Sequence, residues 1–206
     1  MARDASYKVP RRRRREGKTN YYKRYIYVLS KKPRLVVRYS NKYVDVKIVK
    51  PTILGDIVIA AAHSRELYKY FGWRGGGKNT SASYLTGLLA AVRAKYMGVK
   101  EAALDIGLKR PTKGSKMFSV AKAFRDVGIN VNVDEEMMPS EERINGKIVS
   151  EYANMLSRNN EEMFKRLFSR YLRDGLDPRD LEKHFKEVLN KIVLYASKLG
   201  VEVKIS

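Results

Sequence analysis

The chain of 206 residues carries 43 Lys or Arg against 22 Asp or Glu, a net charge of +21. Such an excess points to an acidic polymer or anionic membrane surface as partner and away from a small-molecule enzyme. The absence of cysteine excludes disulfides, thiolate zinc sites and cysteine nucleophiles, and an apolar fraction of 44% is that of a globular protein rather than a wholly disordered one.

No apolar run approaches the roughly 20 residues of a spanning helix, and no signal-peptide core follows the basic start. A membrane partner is not expected. The charge is uneven: residues 1–50 hold +14, residues 51–150 hold +5 and residues 151–206 hold +2. The basic first quarter also contains seven of the fourteen tyrosines. Basic side chains displace the counterions condensed on a phosphate backbone, and aromatic rings offer faces to unpaired bases. Nucleic acid is the partner this combination suits.

Residues 1–20 have almost no apolar periodicity and read as a basic extended arm that orders on a partner. It centres on Arg11, Arg12, Arg13, Arg14 and Arg15, followed by Lys18. With only Asp4 and Glu16 nearby, five adjacent guanidiniums cannot all be paired within the arm, so direct phosphate contact is preferred to a mere localisation tag.

A short helix is expected from Tyr21 to Ser30, with Tyr22, Ile26 and Leu29 sharing a face. Tyr21, Tyr22, Tyr25 and Tyr27 are interleaved with Lys23 and Arg24. These rings either anchor the arm to the domain or stack on looped RNA bases.

Arg34 to Tyr39 alternates, with Leu35, Val37 and Tyr39 on one face and Arg34, Val36 and Arg38 on the other. Ser40-Asn41-Lys42 has turn chemistry, and Val44, Val46 and Ile48 line a second strand, so the pair is a β-hairpin. Its outer face would expose Arg34, Arg38, Lys42 and Lys47. That face is either simply solvated or, with Ser40 and Asn41 at the tip, a mixture of donors suited to phosphates and 2′-hydroxyls.

Ile57 to Ala62 is continuously apolar, as expected of a central strand buried on both faces. A helix over Asn79–Met97 follows, with Leu85, Leu88, Leu89 and Val92 as its stripe. Then come a strand over Glu101–Leu108, a helix over Ser115–Val127 and a last strand over Ile129–Val133. This succession predicts an α/β fold, a mixed β-sheet with a leading hairpin and two packing helices. Two long helices complete the chain. Asn160 caps one that carries Met163 to Leu172, and Asp177-Pro178 opens another with Leu181, Phe185, Val188, Leu189, Ile192 and Ala196. An antiparallel helical hairpin joined at Asp174–Leu176 is expected, packed together and on the sheet domain or a protein neighbour. The predicted organisation is an arm over 1–20, an α/β RNA-binding domain over 21–135, and a linker with a C-terminal helical extension over 136–206.

Gly72 to Asn79 matches the Gly-x-x-x-x-Gly-Lys pattern of a nucleotide-binding loop ahead of a helix, and Asp105 after Ala102-Ala103-Leu104 imitates a magnesium-binding acid. Three points weigh against nucleotide hydrolysis. Asn79 replaces the hydroxyl residue that would ligate magnesium. Leu67–Phe71 lacks the profile of a buried strand. No water-positioning residue or arginine finger stands in a recognisable context. A flexible glycine loop is the plain alternative, but a loop whose Lys78 and helix-start amides bind RNA phosphate is preferred. His63 and His184 read as structural, and Asp134-Glu135-Glu136 with Glu141-Glu142 reads as a solvated loop. No metal, cofactor or catalytic residue is expected.

Several segments together resemble a known family. They are Tyr21-Tyr22-Lys23-Arg24, the Lys32–Lys42 hairpin segment, Gly55-Asp56, Tyr70-Phe71-Gly72-Trp73, Asn79–Leu89, Leu104–Leu108 and Phe124–Gly128. They are similar to the archaeal form of the universal large-subunit ribosomal protein family numbered eighteen. The resemblance covers roughly residues 7–150, and the C-terminal helices look like the extension of archaeal and eukaryotic members. It implies an α/β protein of the cytoplasmic ribosome, not an enzyme. Its partners would be 5S rRNA, 23S rRNA and neighbouring large-subunit proteins of the central protuberance, with no small-molecule substrate. Carried over by position, the RNA-contacting candidates are the arm with Tyr21, Tyr22, Lys23 and Arg24; the hairpin residues Arg34, Arg38, Ser40, Asn41, Lys42 and Tyr43; and the loop residues Trp73, Arg74, Lys78 and Asn79. The triple glycine Gly75-Gly76-Gly77 departs from the family pattern. The rivals are a nucleotidase and a general basic protein that binds duplex DNA equally well.

Overall fold

The computed structural model describes residues 4–203; the first three residues of the arm and the last three of the C-terminal extension lie outside the described residues. The arm is not wholly extended. Arg12–Arg15 forms one helical turn, α1, and Arg13 Nε donates to Thr19 Oγ1 at 2.8 Å. Asn20 then caps α2 (Tyr21–Ser30) by accepting from the Tyr22 and Lys23 amides, which satisfies two donors left free by the first turn.

The helix over 21–30 is placed as expected, but its inward face is not. Tyr22, Ile26 and Leu29 are exposed, whereas Tyr21, Arg24, Tyr27 and Val28 are partly covered. The reason lies in the surface beneath. The sheet face under α2 carries Arg34, Arg38, Asp56 and Asp105, so the helix turns Arg24 and the Tyr27 hydroxyl towards it.

The strands β1 (Arg34–Tyr39), β2 (Val44–Pro51) and β3 (Asp56–His63) form an antiparallel meander. After α3 (Ser64–Phe71) and α4 (Thr80–Tyr96), the chain adds β4 (Glu101–Asp105), α5 (Lys116–Asp126) and β5 (Asn130–Val131). The sheet order is β3-β2-β1-β4-β5, with β1–β4 and β4–β5 parallel. The fold is therefore α/β with a mixed five-stranded sheet.

The expected central strand over 57–62 is instead the edge strand β3. Ala60 and Ala62 are buried, but Ile57 and Val58 are 59% and 52% exposed. A short apolar run does not distinguish an interior strand from an edge strand half-covered by a helix. The covering helix is α4, which packs on β2, β3, α3 and α5. Every residue from Ser81 to Val92 is buried, so α4 is the central helix of the core rather than a one-sided one. The α3 helix, not anticipated from the sequence, is opened by a capping box. His63 Nδ1 accepts from the Arg65 amide, and Glu66 accepts from the His63 amide.

The segment read as a linker is helical: α6 (Glu141–Asn145) and α7 (Lys147–Asn159) precede α8 (Glu161–Leu167), α9 (Ser169–Arg173) and α10 (Leu181–Lys198). The α7 stripe is small, being built on Ser150, Ala153 and Leu156, which hides its periodicity. Asn160 caps α8 as expected, but the long helix over 161–173 breaks at Phe168. The two C-terminal stripes are also not each other's main partners. Phe164 and Phe168 pack with Ala153 and Leu156 of α7 in a separate small cluster. The α10 stripe packs on α4, α6, α7 and α3 and belongs to the main core.

Candidate nucleic-acid interface

The chemistry of the outer sheet face starts from strand register. In the parallel β1–β4 pair, Val36 stands opposite Asp105. Residues two apart share a face, so the Asp105 carboxylate falls between Arg34 and Arg38. Arg34 Nη1 donates to Asp105 Oδ2 at 2.9 Å, and its Nη2 donates to Asp56. The Tyr27 ring lies 5.1 Å from its Cζ. Arg34 is only 6% exposed, which corrects the expectation of an exposed residue. An unpaired buried guanidinium is costly, and the fold meets that cost with carboxylates from two other strands. Tyr27 donates its hydroxyl to the Leu104 carbonyl at 3.2 Å; burial, and then Asp105, push its pKa up. It is therefore an anchor of the arm. Tyr22 and Tyr25 keep open faces, at 74% and 65% exposed.

Arg38 keeps 46% of its side chain exposed while donating to Asp105 Oδ1 at 3.0 Å. Its guanidinium lies over Gly107, where an added Cβ would stand 3.1 Å from Cζ and where φ is +70°. A side chain at that position would be strained and would crowd the arginine. Beside it runs a groove of about 710 Å³ between the arm, α2, the sheet face and the β2–β3 turn. Arg13, Lys18, Lys23, Arg24, Arg38 and Lys47 line it together with Ile53 and Leu54. Arg24 pairs with Asp56 and Lys18 with Glu16. Arg11 and Arg14 sit over the Tyr21 and Tyr22 rings at 4.9 and 5.9 Å, cation–π contacts that tie the arm to the helix. Arg12 stands 3.9 Å from Glu16, and Arg15 is exposed.

The hairpin tip is a second cluster. Ser40 closes the turn, since its hydroxyl accepts from the Tyr43 amide at 2.9 Å. Asn41 and Lys42 are exposed at the tip, and Tyr43 packs against His63 and Tyr68. The glycine loop docks directly on this turn: a Cβ on Gly77 would come within 2.7 Å of the Lys42 carbonyl. Lys78 therefore stands beside the tip.

The other loop residues do different work. Trp73 is 1% exposed, stacks on His184 with centroids 5.2 Å apart, and donates Nε1 to the Gly76 carbonyl at 2.7 Å. It is a core residue and offers no face to a base. Asn79 accepts from the Ala82 amide at 2.7 Å as the cap of α4 and donates to Gly75 and Tyr171. The Arg74 amide donates to His184 Nε2 at 3.0 Å, while its exposed side chain reaches the Gly175 carbonyl. Burial pushes the His184 pKa down, in keeping with a neutral acceptor nitrogen. A helix, not a strand, leads into this loop, and the capping side chain occupies the helix start, so the nucleotide-loop reading loses its structural basis.

Sequence reasoning misses two residues, Lys109 in the β4–α5 connection and Lys116 at the first position of α5. Lys109 and Lys116 place their Nζ atoms 5.7 and 4.9 Å from the Tyr39 ring centroid. The signal in the sequence was the run Lys109-Arg110-Pro111-Thr112-Lys113-Gly114-Ser115-Lys116, a basic loop inside a region of modest net charge. Among the described residues no helix is long and apolar enough to cross a membrane, and no cluster of His, Asp or Glu could hold a metal ion.

A family model described as "Ribosomal large subunit proteins 60S L5, and 50S L18" matches residues 5–101. The large ribosomal subunit protein uL18 of Staphylothermus marinus is 55% identical over 193 residues, covering 94% of this chain and 96% of the relative. Its namesake in Ignicoccus hospitalis is 54% identical over 193 residues, 94% of each chain. That of Aeropyrum pernix is 50% identical over 192 residues, 93% of this chain and 90% of the relative.

Proposed function

Because the chain belongs to the uL18 family of large ribosomal subunit proteins, we propose that it binds 5S rRNA and helps attach it to 23S rRNA at the central protuberance. In this reading it is a structural constituent of the cytoplasmic large subunit, beside other large-subunit proteins, and not an enzyme. The observation that carries the reading is the convergence of the arm, α2 and the outer face of β1 on one basic groove. Its wall holds Arg38 in place through a strand-borne carboxylate. The assignment to 5S rRNA in particular rests on the resemblance of the Lys32–Lys42 hairpin segment.

The parts divide the work. The arm supplies counterion release and salt-dependent capture. The groove and hairpin tip supply placement, with Arg38, Lys23, Asn41, Lys42 and Lys78 as phosphate and ribose contacts and Tyr22 and Tyr25 as open rings for looped bases. Arg34, Trp73 and Asn79 support the site from within the fold.

The test is equilibrium binding of the full chain to 5S rRNA in moderate salt, in competition with duplex DNA, with ATP and GTP binding measured in parallel. Selective 5S rRNA binding with no nucleotide affinity is expected. Equal affinity for duplex DNA, or micromolar nucleotide binding without RNA selectivity, overturns the reading.

A further inference from the structure

The structure assigns a further phosphate-binding site to Lys109 and Lys116, which lie over the Tyr39 ring and join Lys78 of the glycine loop, and we infer that it takes a backbone phosphate of the bound RNA. This inference rests on the RNA-binding reading above. It adds a contact surface, where α4 and α5 begin, to the arm, the groove and the hairpin tip.

Tyr39 is the fixed element. Its hydroxyl lies 2.9 Å from the Lys116 carbonyl and 3.3 Å from Ser83 Oγ, and burial raises its pKa so that the phenol stays neutral. The Lys109 and Lys116 ammoniums both lie within 6 Å of its ring centroid, the range of a cation–π contact. The ring's quadrupole only partly offsets the repulsion between them. The charges that act on Lys116 are Lys78 and Lys109, both of like sign, and after burial they lower its pKa. Among the described residues none of the three pairs with a carboxylate. Lys109 and Lys116 share one neutral ring, with Lys78 adding a third like charge beside Lys116; like charges held close disfavour one another, and a backbone phosphate between them relieves this. Lysine binds phosphate as a point charge, without the planar matching that arginine requires. The site also adjoins the hairpin tip, because Gly77, the neighbour of Lys78, packs against the Lys42 carbonyl. A strand of RNA lying on the tip would pass directly over it.

The experiment uses the full chain and 5S rRNA, titrated across a range of salt concentrations. The variant is Lys109→Gln with Lys116→Gln. The control is Lys183→Gln with Lys186→Gln on α10, where both lysines already pair with acids. The cluster variant should lower the slope of log K against log salt by roughly 0.7 to 0.9, the value for one phosphate contact, with the control near the wild-type slope. A slope equal to wild type, or an equal loss in the control, overturns the site. A second measurement needs no variant: lysine acylation of the wild-type chain, free and RNA-bound. Protection of Lys109 and Lys116 with Lys183 still reactive supports the site, and unchanged reactivity overturns it. If the wild type shows no preference for 5S rRNA, the functional reading fails separately, and the slope and protection on any bound RNA still decide this inference.

Discussion

Arg38 meets Asp105 at two points: Nη2 donates to Oδ1 at 3.0 Å and Nη1 to the backbone carbonyl at 2.8 Å. The second carboxylate oxygen accepts from the buried Arg34 at 2.9 Å. One aspartate thus joins a guanidinium inside the fold to one at the wall of the groove. An exposed arginine ordinarily loses side-chain freedom when it binds; Arg38 has already given up much of it.

Asp105→Asn should therefore weaken RNA binding by about tenfold, or about 1.4 kcal/mol. Net charge alone argues the opposite, since the change removes a negative group from a basic protein. Affinity at fixed salt, measured well below the melting temperature, decides the sign. Tighter binding would mean that Asp105 does not position Arg38.

Arg34 and Arg38 should separate in a pair of single variants. Arg34→Ala removes the buried cation shared by Asp105 and Asp56, leaving them only the more exposed Arg38 and Arg24, and should cost about 3 kcal/mol of stability. Arg38→Ala removes a half-exposed partner and should cost below about 1 kcal/mol, yet lose more RNA affinity. Urea unfolding and RNA titration of both variants test this, and parallel losses in both measurements would refute it.

Trp73 is the sole tryptophan and is almost fully buried. Its fluorescence should resist quenching by acrylamide, and saturation with RNA should leave that quenching unchanged. Trp73→Ala should destabilise the domain by about 3 to 5 kcal/mol. Strong quenching by bound RNA would restore it as a stacking residue.

The His184 pKa is pushed below its ordinary 6.5, first by burial, although Glu187 opposes this. A base whose folded pKa is depressed binds fewer protons folded than unfolded, so stability rises with pH across that window. The contribution is present above about 6.5 and is lost as pH falls towards the folded value. Protonation would also remove the acceptor for the Arg74 amide. Urea unfolding at about pH 7.5 and about pH 5 should show a larger loss in the wild type than in His184→Gln. Identical losses would contradict it.

Deleting residues 1–20 should lower the salt slope of RNA binding by several units, at about 0.7 to 0.9 for each phosphate contact removed. The remaining domain keeps the sheet and α4 intact and should still prefer 5S rRNA, only more weakly. A slope unchanged by the deletion would remove the arm from the interface.

Charge counts and patterns in the chain were enough to identify a polyanion partner, the mixed α/β order and several helix starts. Asn160 caps α8 as its sequence suggests, and Asn20 and Asn79 cap α2 and α4 in the same local way, because a cap is decided within three residues. The alternation of β1 correctly put Arg34 and Arg38 on one face. Which of them remains available to RNA was decided elsewhere, by Asp56 on β3 and Asp105 on β4. The edge position of β3, the inward turn of Tyr27, the burial of Trp73 against His184 and the lysines around Tyr39 arise in the same way. Each depends on a group far away in the chain that only the packing of strands and helices brings near. Local periodicity determines which side a residue faces. Desolvation and pairing, which decide whether its charge is free to bind, belong to the assembled tertiary structure.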